Sequence, residues 1–271
     1  MTFVRVGGVP LHIVVDGAGP PCVLSPGLGM CWFDWDPVVR LLAPHRTVIR
    51  FDRPGLGLSA FTRAWPTLLD EVGRIAGVLD ATGIDEPVTL VGHSMAGFHC
   101  EAFARLHPRR TAALVLLDSS FEDRPRTRRA RSARNASTRA CATLLGAAGL
   151  PRALGPSLRR AVVRAGRHKG ADPAPDDLVR RAYSTSRALH AVLAENAGYA
   201  DQALDLATLR WYFALPDIPV TVLAAGSPRH LTRQRALATR LHATFRIAPD
   251  SGHMVMLDRP ADVAQAVLAA A

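Results

Sequence analysis

Short apolar runs closed by Gly, Pro or Asp alternate along the chain with longer segments of helical periodicity. The runs are "LHIVVDG", "PCVLSPG", "RTVIRFD", "PVTLVGHS", "TAALVLLDSS", "IPVTVLAAG" and "ATFRIAPDSGH". The first alternates apolar and polar positions and ends in a turn, as an antiparallel strand near a sheet edge does. The other six are apolar on consecutive positions, the pattern of strands covered on both faces. Helical spacing runs over residues 34–42, 68–82, 95–107, 231–241 and 261–269. The alternation predicts an α/β fold, with a mostly parallel central sheet and helices on both faces.

Residues 121–215 break the rhythm. They hold no convincing strand, much Arg and Ala, and proline joints at Pro151, Pro156, Pro173 and Pro175. Ala133, Ala136, Ala140, Cys141, Leu144 and Leu145 recur there at helical spacing. Arg126, Arg129, Arg131, Arg134 and Arg139 mostly fall off that stripe. This predicts an amphipathic helix with the apolar stripe inward and a solvated basic face. The expected organisation is a core from 1–120 and 216–271, with 121–215 inserted as a helical cap.

Charge sharpens the division. The net charge is +10, and residues 121–215 carry 17 Arg and Lys against 8 Asp and Glu, a balance of +9. Lys169 is the only lysine. The arginines lack interleaved aromatics, which argues against nucleic-acid binding. No apolar run approaches the length of a membrane span, and "MTFVRVGGVPLHIVVDG" lacks the basic start and long apolar run of a signal peptide. A cytoplasmic location is expected. Cys22, Cys31, Cys100 and Cys141 have no C-x-x-C spacing and read as small buried residues, neither disulfide-bonded nor metal-binding.

The strongest chemical signal is "TLVGHSMAGFHCEAFARLHP". An apolar strand runs into Gly92-His93-Ser94-Met95-Ala96-Gly97, and a helical pattern follows. Strand, sharp turn and helix put Ser94 at the apex of a nucleophile elbow, G-x-S-x-G. The elbow brings strand and helix together two positions before and after the serine, so both must be small. Gly92 fits, and Ala96 departs by one methyl group. A serine in this place also serves simply as a helix N-cap.

A serine hydroxyl at neutral pH needs an imidazole to take its proton. His253, in "PDSGHMVMLDRP", follows the last strand, so it can reach the sheet edge where Ser94 sits. His93 flanks Ser94 but is expected to point away from it. His107, His168, His190, His230 and His242 have no partner pattern. Acyl transfer also needs backbone N–H donors at the developing oxyanion. Leu28, after Gly27 in "VLSPGLGMCWFDW", and Met95, after Ser94, are the positions to supply them.

These signals, in this order, resemble the α/β-hydrolase superfamily. The similarity covers 4–120 and 218 to the C-terminus, and "FDRPGLGLS" looks like the family's D-R-x-G-x-G-x-S segment. The resemblance implies a structural role for Asp52 and Arg53, and a variable cap in 121–215 that sets the substrate. Two departures stand out. Pro26-Gly27 replaces the family's usual H-G, and the loop after "VTVLAAG", where such proteins commonly carry their acid, has no carboxylate from 226 to 240. Some members, haloalkane dehalogenases among them, carry it one strand earlier. Asp118 ends that strand here, with Glu122 and Asp123 just after it. Asp250 and Asp258 flank His253 closely, and a site with no acid is a further alternative.

The expectation is a serine hydrolase of α/β-hydrolase fold. Ser94 is the nucleophile, His253 the base, Asp118 the acid, and the N–H groups of Leu28 and Met95 the oxyanion donors. The substrate is an ester-like small molecule, and neither cofactor nor metal is implied. Cofactor-free haloperoxidase, C–C hydrolase and thioesterase chemistry are alternatives on the same site, as is a protein that binds a small molecule without turnover.

Overall fold

The computed structural model describes residues 2–123, 125 and 130–270. Eight strands form one sheet in the order β1-β2-β4-β3-β5-β6-β7-β8. They are β1 (Thr2–Val6), β2 (Val9–Asp16), β3 (Pro21–Ser25), β4 (Thr47–Phe51), β5 (Val88–His93), β6 (Thr111–Leu117), β7 (Val220–Ala224) and β8 (Thr244–Ile247). β2 pairs antiparallel with β1 and β4, and the pairs from β4 to β8 are parallel.

The side-chain period of two sorts each strand between two cores. Val23, Leu90, Leu114 and Leu116 join one core with α2 (Leu68–Ala81) and α3 (Ala96–Leu106). Cys22, Leu24, Val91, Val115 and Leu117 join the other with α1 (Asp36–Leu42). Helix ends follow local chemistry. Thr67 Oγ1 accepts from Asp70 N at 3.1 Å, and the Asp70 carboxylate caps the Thr67 N–H in return, a reciprocal box that starts α2.

Two strand expectations change. The outer strand on one side is β1, which the pattern does not announce. The opposite edge is β8, whose residues are half-buried or exposed. An edge strand lacks a neighbour on one side and is not covered on both faces.

Between β6 and β7 come only helices among the described residues: α4 (Arg131–Ala147), α5 (Leu150–Gly166), α6 (Asp176–Tyr183) and α7 (Ser186–Tyr212). After β7 come α8 (Pro228–Arg240), the short α9 (Val255–Asp258) and α10 (Pro260–Ala269). The predicted face of α4 is wrong. Ala133, Ala136, Ala140, Cys141 and Leu144 are exposed, and Ala142 is buried. Arg134 turns inward because Asp201 on α7 accepts from its Nη2 at 2.5 Å. An ion pair across the helix contact outweighs a stripe made mainly of alanine. Cys141 is therefore an exposed thiol, whereas Cys22, Cys31 and Cys100 are buried. Arg126 and Arg129 lie outside the described residues. Among those residues no helix is long and apolar enough to cross a membrane.

Candidate active site

Ser94 stands between β5 and α3 at φ +53°. A side chain in this left-handed region costs about 1–2 kcal/mol, so neighbours must hold it there. Ser94 N donates to Leu117 O at 3.1 Å, and Ser94 O accepts from Gly97 N and Ser120 N, each at 3.0 Å. The turn is thus fastened to the end of β6. Gly92 and Gly97 are required by close approach. A Cβ on Gly92 would lie 2.8 Å from Ala96 O, and one on Gly97 would overlap Ser119 Oγ.

Asp118 follows the last residue of β6. The register pairs Leu117 with Leu223, so Asp118 arrives at the end of β7. Its N–H donates to Leu223 O at 2.8 Å, and its Oδ1 accepts from Ala225 N at 3.1 Å. Its Oδ2 accepts from His253 Nδ1 at 2.5 Å. The carboxylate lies beside the acid-free loop, on a side chain supplied by the neighbouring strand. Burial acting alone raises a carboxyl. Here the hydrogen bond and charge of His253, the Ala225 N–H and the charge of His230 outweigh it, and Asp118 is held below its usual range.

Three of the other candidate acids are engaged elsewhere. Glu122 accepts from Tyr199 Oη at 3.2 Å, and Asp123 pairs with Arg240 at 2.6 Å. Asp258 accepts from Gly252 N and His168 N and pairs with Arg167, so it fastens the loop that carries His253. His93, the residue before Ser94, packs against the loop that carries His253. It is buried, its Nε2 donates to His253 O at 2.9 Å, and the two rings lie 4.7 Å apart. Burial, then the charge on His253, pushes His93 down to about 3, so it stays neutral. Among the described residues no hydrogen bond joins Ser94 Oγ to His253.

The loop after β3 reaches the same place. A Cβ on Gly27 would lie 3.2 Å from Ser94 Cβ and 2.7 Å from His93 Nδ1. Within the described backbone network neither Leu28 N nor Met95 N donates a hydrogen bond, whereas Gly29 N donates to Glu195 Oε2 at 2.8 Å. Arg53 is buried behind the loop. It donates to Pro26 O at 2.5 Å, to Gly27 O at 2.7 Å and to both oxygens of Glu195. Tyr183 Oη donates to Gly29 O at 2.8 Å, and Arg159 pairs with buried Asp34. The inserted helices thus grip the backbone on which Leu28 sits. Asp52 stays inside the core, accepting from His12 Nδ1, Trp32 N and Leu58 N.

Sequence reasoning missed two of these groups. His230, at the start of α8, has a partner after all: its Nε2 donates to Asp118 Oδ1 at 2.7 Å. The pair is formed by β6 lying beside β7, which no local pattern records. Glu195 left a trace. It falls among Ala188, Ala191, Gly198, Gln202 and Leu206, which are buried at helical spacing on α7, and a carboxylate on a buried stripe signals a buried cation. A cavity of about 450 Å³ lies beyond Arg53 and Glu195, bordered by Trp65, Arg139 and His190, with neither Ser94 nor His253 in its wall. Among the described residues no group of three or more His, Cys, Asp or Glu is placed to hold a metal ion.

The profile of the alpha/beta hydrolase family matches residues 22–266. A 2-hydroxy-6-oxo-2,4-heptadienoate hydrolase of Pseudomonas putida is 36% identical over 127 residues, 44% of this chain and 46% of that protein. Epoxide hydrolase B of Mycobacterium tuberculosis is 32% identical over 124 residues, 43% of this chain and 35% of that protein. The chain spans less than half the length of these relatives. The crystal structure of an enol-lactonase from Burkholderia xenovorans superposes with a TM-score of 0.70 at 23% identity, covering 99% of this chain and 98% of that one.

Proposed function

The chain belongs to the alpha/beta hydrolase family, and we propose that it is a serine hydrolase of small, ester-like substrates: carboxylic esters, lactones or thioesters. The observation that carries this is the 2.5 Å bond from His253 Nδ1 to Asp118 Oδ2, at the sheet edge where Ser94 is held at positive φ. A donor at Nδ1 leaves the lone pair of neutral His253 on Nε2, the atom that receives the serine proton.

Ser94 Oγ attacks the substrate carbonyl carbon and passes its proton to His253 Nε2. Asp118 holds the Nδ1–H and balances the imidazolium that forms. The carbonyl oxygen becomes an oxyanion and accepts from Leu28 N and Met95 N, the two donors left free beside Ser94. The leaving group then departs with the proton from His253. Water, deprotonated by the same imidazole, cleaves the acyl-enzyme and restores Ser94. The helices of 121–215 act as the cap, and their contacts with the loop after β3 make them the element that selects the acyl group.

A fluorophosphonate probe tests this directly. Labelling on Ser94, lost in Ser94→Ala and His253→Ala, supports the reading, together with turnover of a panel of p-nitrophenyl esters and acyl thioesters. No labelling of the wild type overturns it and favours a binding protein without turnover. A second reading is hydrolysis of a C–C bond next to a ketone, favoured by the Pseudomonas relative named for a 2-hydroxy-6-oxo-dienoate. Turnover of such a dienoate with esters left intact selects it.

A further inference from the structure

The carboxylate of Asp118 does not serve His253 alone. Oδ2 takes His253 Nδ1 at 2.5 Å, while Oδ1 takes both Ala225 N at 3.1 Å and His230 Nε2 at 2.7 Å. An ionised carboxylate only accepts hydrogen bonds, so His230 must carry a proton on Nε2. We propose that His230 is a positioning residue, which locks the outer oxygen of Asp118 so that two imidazoles share one carboxylate and set the acid limb of the reaction together. This rests on the reading of Ser94, Asp118 and His253 given above.

His230 is well fixed for the task. It is the third residue of α8; its N–H donates to Ser227 Oγ at 3.4 Å, and its ring passes 3.8 Å from where a Cβ on Gly226 would lie. Its side chain is 34% exposed, so protons reach it freely. A cavity of about 150 Å³ brings the relevant groups together. Asp118 and Glu122 come from the segment after β6, Tyr199 from α7, Arg233 from α8 and His253 from the last loop. Arg229 precedes His230 in the chain.

The sign of the effect follows from charge. Neutral His230 draws negative charge from Asp118 through its hydrogen bond. Protonated His230 goes further and sets a second cation on the anion that steadies the His253 imidazolium. Either way the imidazolium of His253 is less stable with His230 present. The acid limb of the reaction therefore belongs to the two imidazoles together rather than to His253 alone.

The experiment follows fluorophosphonate inactivation of Ser94 from pH 4.5 to 9 in wild type, His230→Phe and His230→Gln, alongside NMR titration of the histidine ring protons. In His230→Phe the acid limb moves to higher pH, the plateau rate falls about fivefold, as for the loss of one hydrogen bond, and the His253 resonance titrates at higher pH. His230→Gln keeps a neutral N–H donor. Its plateau stays near wild type while its limb still moves, and this holds the test open if the phenylalanine variant does not fold. Superimposable profiles and an unmoved His253 titration overturn the proposal, as does a lower melting temperature with no movement of the limb. If wild type does not react with the probe, the Ser94 reading fails, and the NMR titration still decides whether His230 governs His253.

Discussion

Arg53 Nε and Glu195 Oε1 lie 2.5 Å apart and buried, joining the loop after β4 to the long helix α7. The same two residues hold Pro26 O, Gly27 O and Gly29 N. Leu28 is therefore clamped on both sides by a pair whose halves are 142 residues apart. The charges of the pair are matched inside the protein, and burial without a partner is what makes such charges costly.

Glu195→Ala leaves Arg53 buried with carbonyl partners only. Urea unfolding should report a loss of about 3–5 kcal/mol, the usual effect of breaking a buried pair. The phosphonylation rate of Ser94 should fall at least tenfold, since Leu28 N is no longer held in place. A variant with wild-type stability and rate would show that the clamp does not matter.

Removal of the proposed reacting groups should have unequal effects. Ser94→Ala and His253→Ala are expected to lower turnover by about 10⁶, and Asp118→Asn by about 10⁴. The double variant Ser94→Ala/His253→Ala should be no worse than either alone, because the residues act as a unit. An Asp118→Asn enzyme within tenfold of wild type would remove the acid from the proposal.

Beside the close approach of Gly92 to Ala96 O, the turn has a second tight contact at Gly97. A methyl group on Gly97 meets Ser119 Oγ and Cβ. Gly97→Ala should cost about 1–3 kcal/mol by overpacking and reduce labelling of Ser94, while Ala96→Gly should label at the wild-type rate. Thermal unfolding with probe labelling on both variants checks this. Equal behaviour of the two would contradict it.

Acid should weaken the fold through two histidines. His93 and His99 are both held at about 3 in the folded chain, chiefly by burial, against an ordinary 6.5. The unfolded chain therefore binds two more protons within that window. Stability is full above pH 6.5 and falls as pH drops toward 3, by about 3 kcal/mol per pH unit at the steepest. Asp118 and Glu101, held below their ordinary values, add a further loss at the acid end of the window. Urea unfolding from pH 7 to 5 measures the slope, and His99→Gln should reduce it by about half. An unchanged slope in that variant would be the contrary result.

Much of this was readable in the chain itself. Consecutive apolar positions marked the parallel strands because a strand between two helix layers has no solvent face. Ser94, His253 and the Leu28 turn stood out because each follows a strand, at the sheet's C-terminal edge. Asp118 was readable as a candidate for the same reason, and so were Glu122 and Asp123. Asp118 is the preferred one because it ends the strand itself, at the edge that His253 reaches.

The tertiary structure gives each of these carboxylates its partners. Register between β6 and β7 delivers Asp118 to Ala225 and His253, and turns Glu122 and Asp123 toward Tyr199 and Arg240. It also gives His230 its partner, turns α4 on its ion pair with Asp201, and unites Arg53 with Glu195. Periodicity along a chain reports how each residue divides water from core, and so it determines elements and their faces. A hydrogen bond between residues a hundred positions apart depends on which strands lie side by side, and only the assembled sheet decides that.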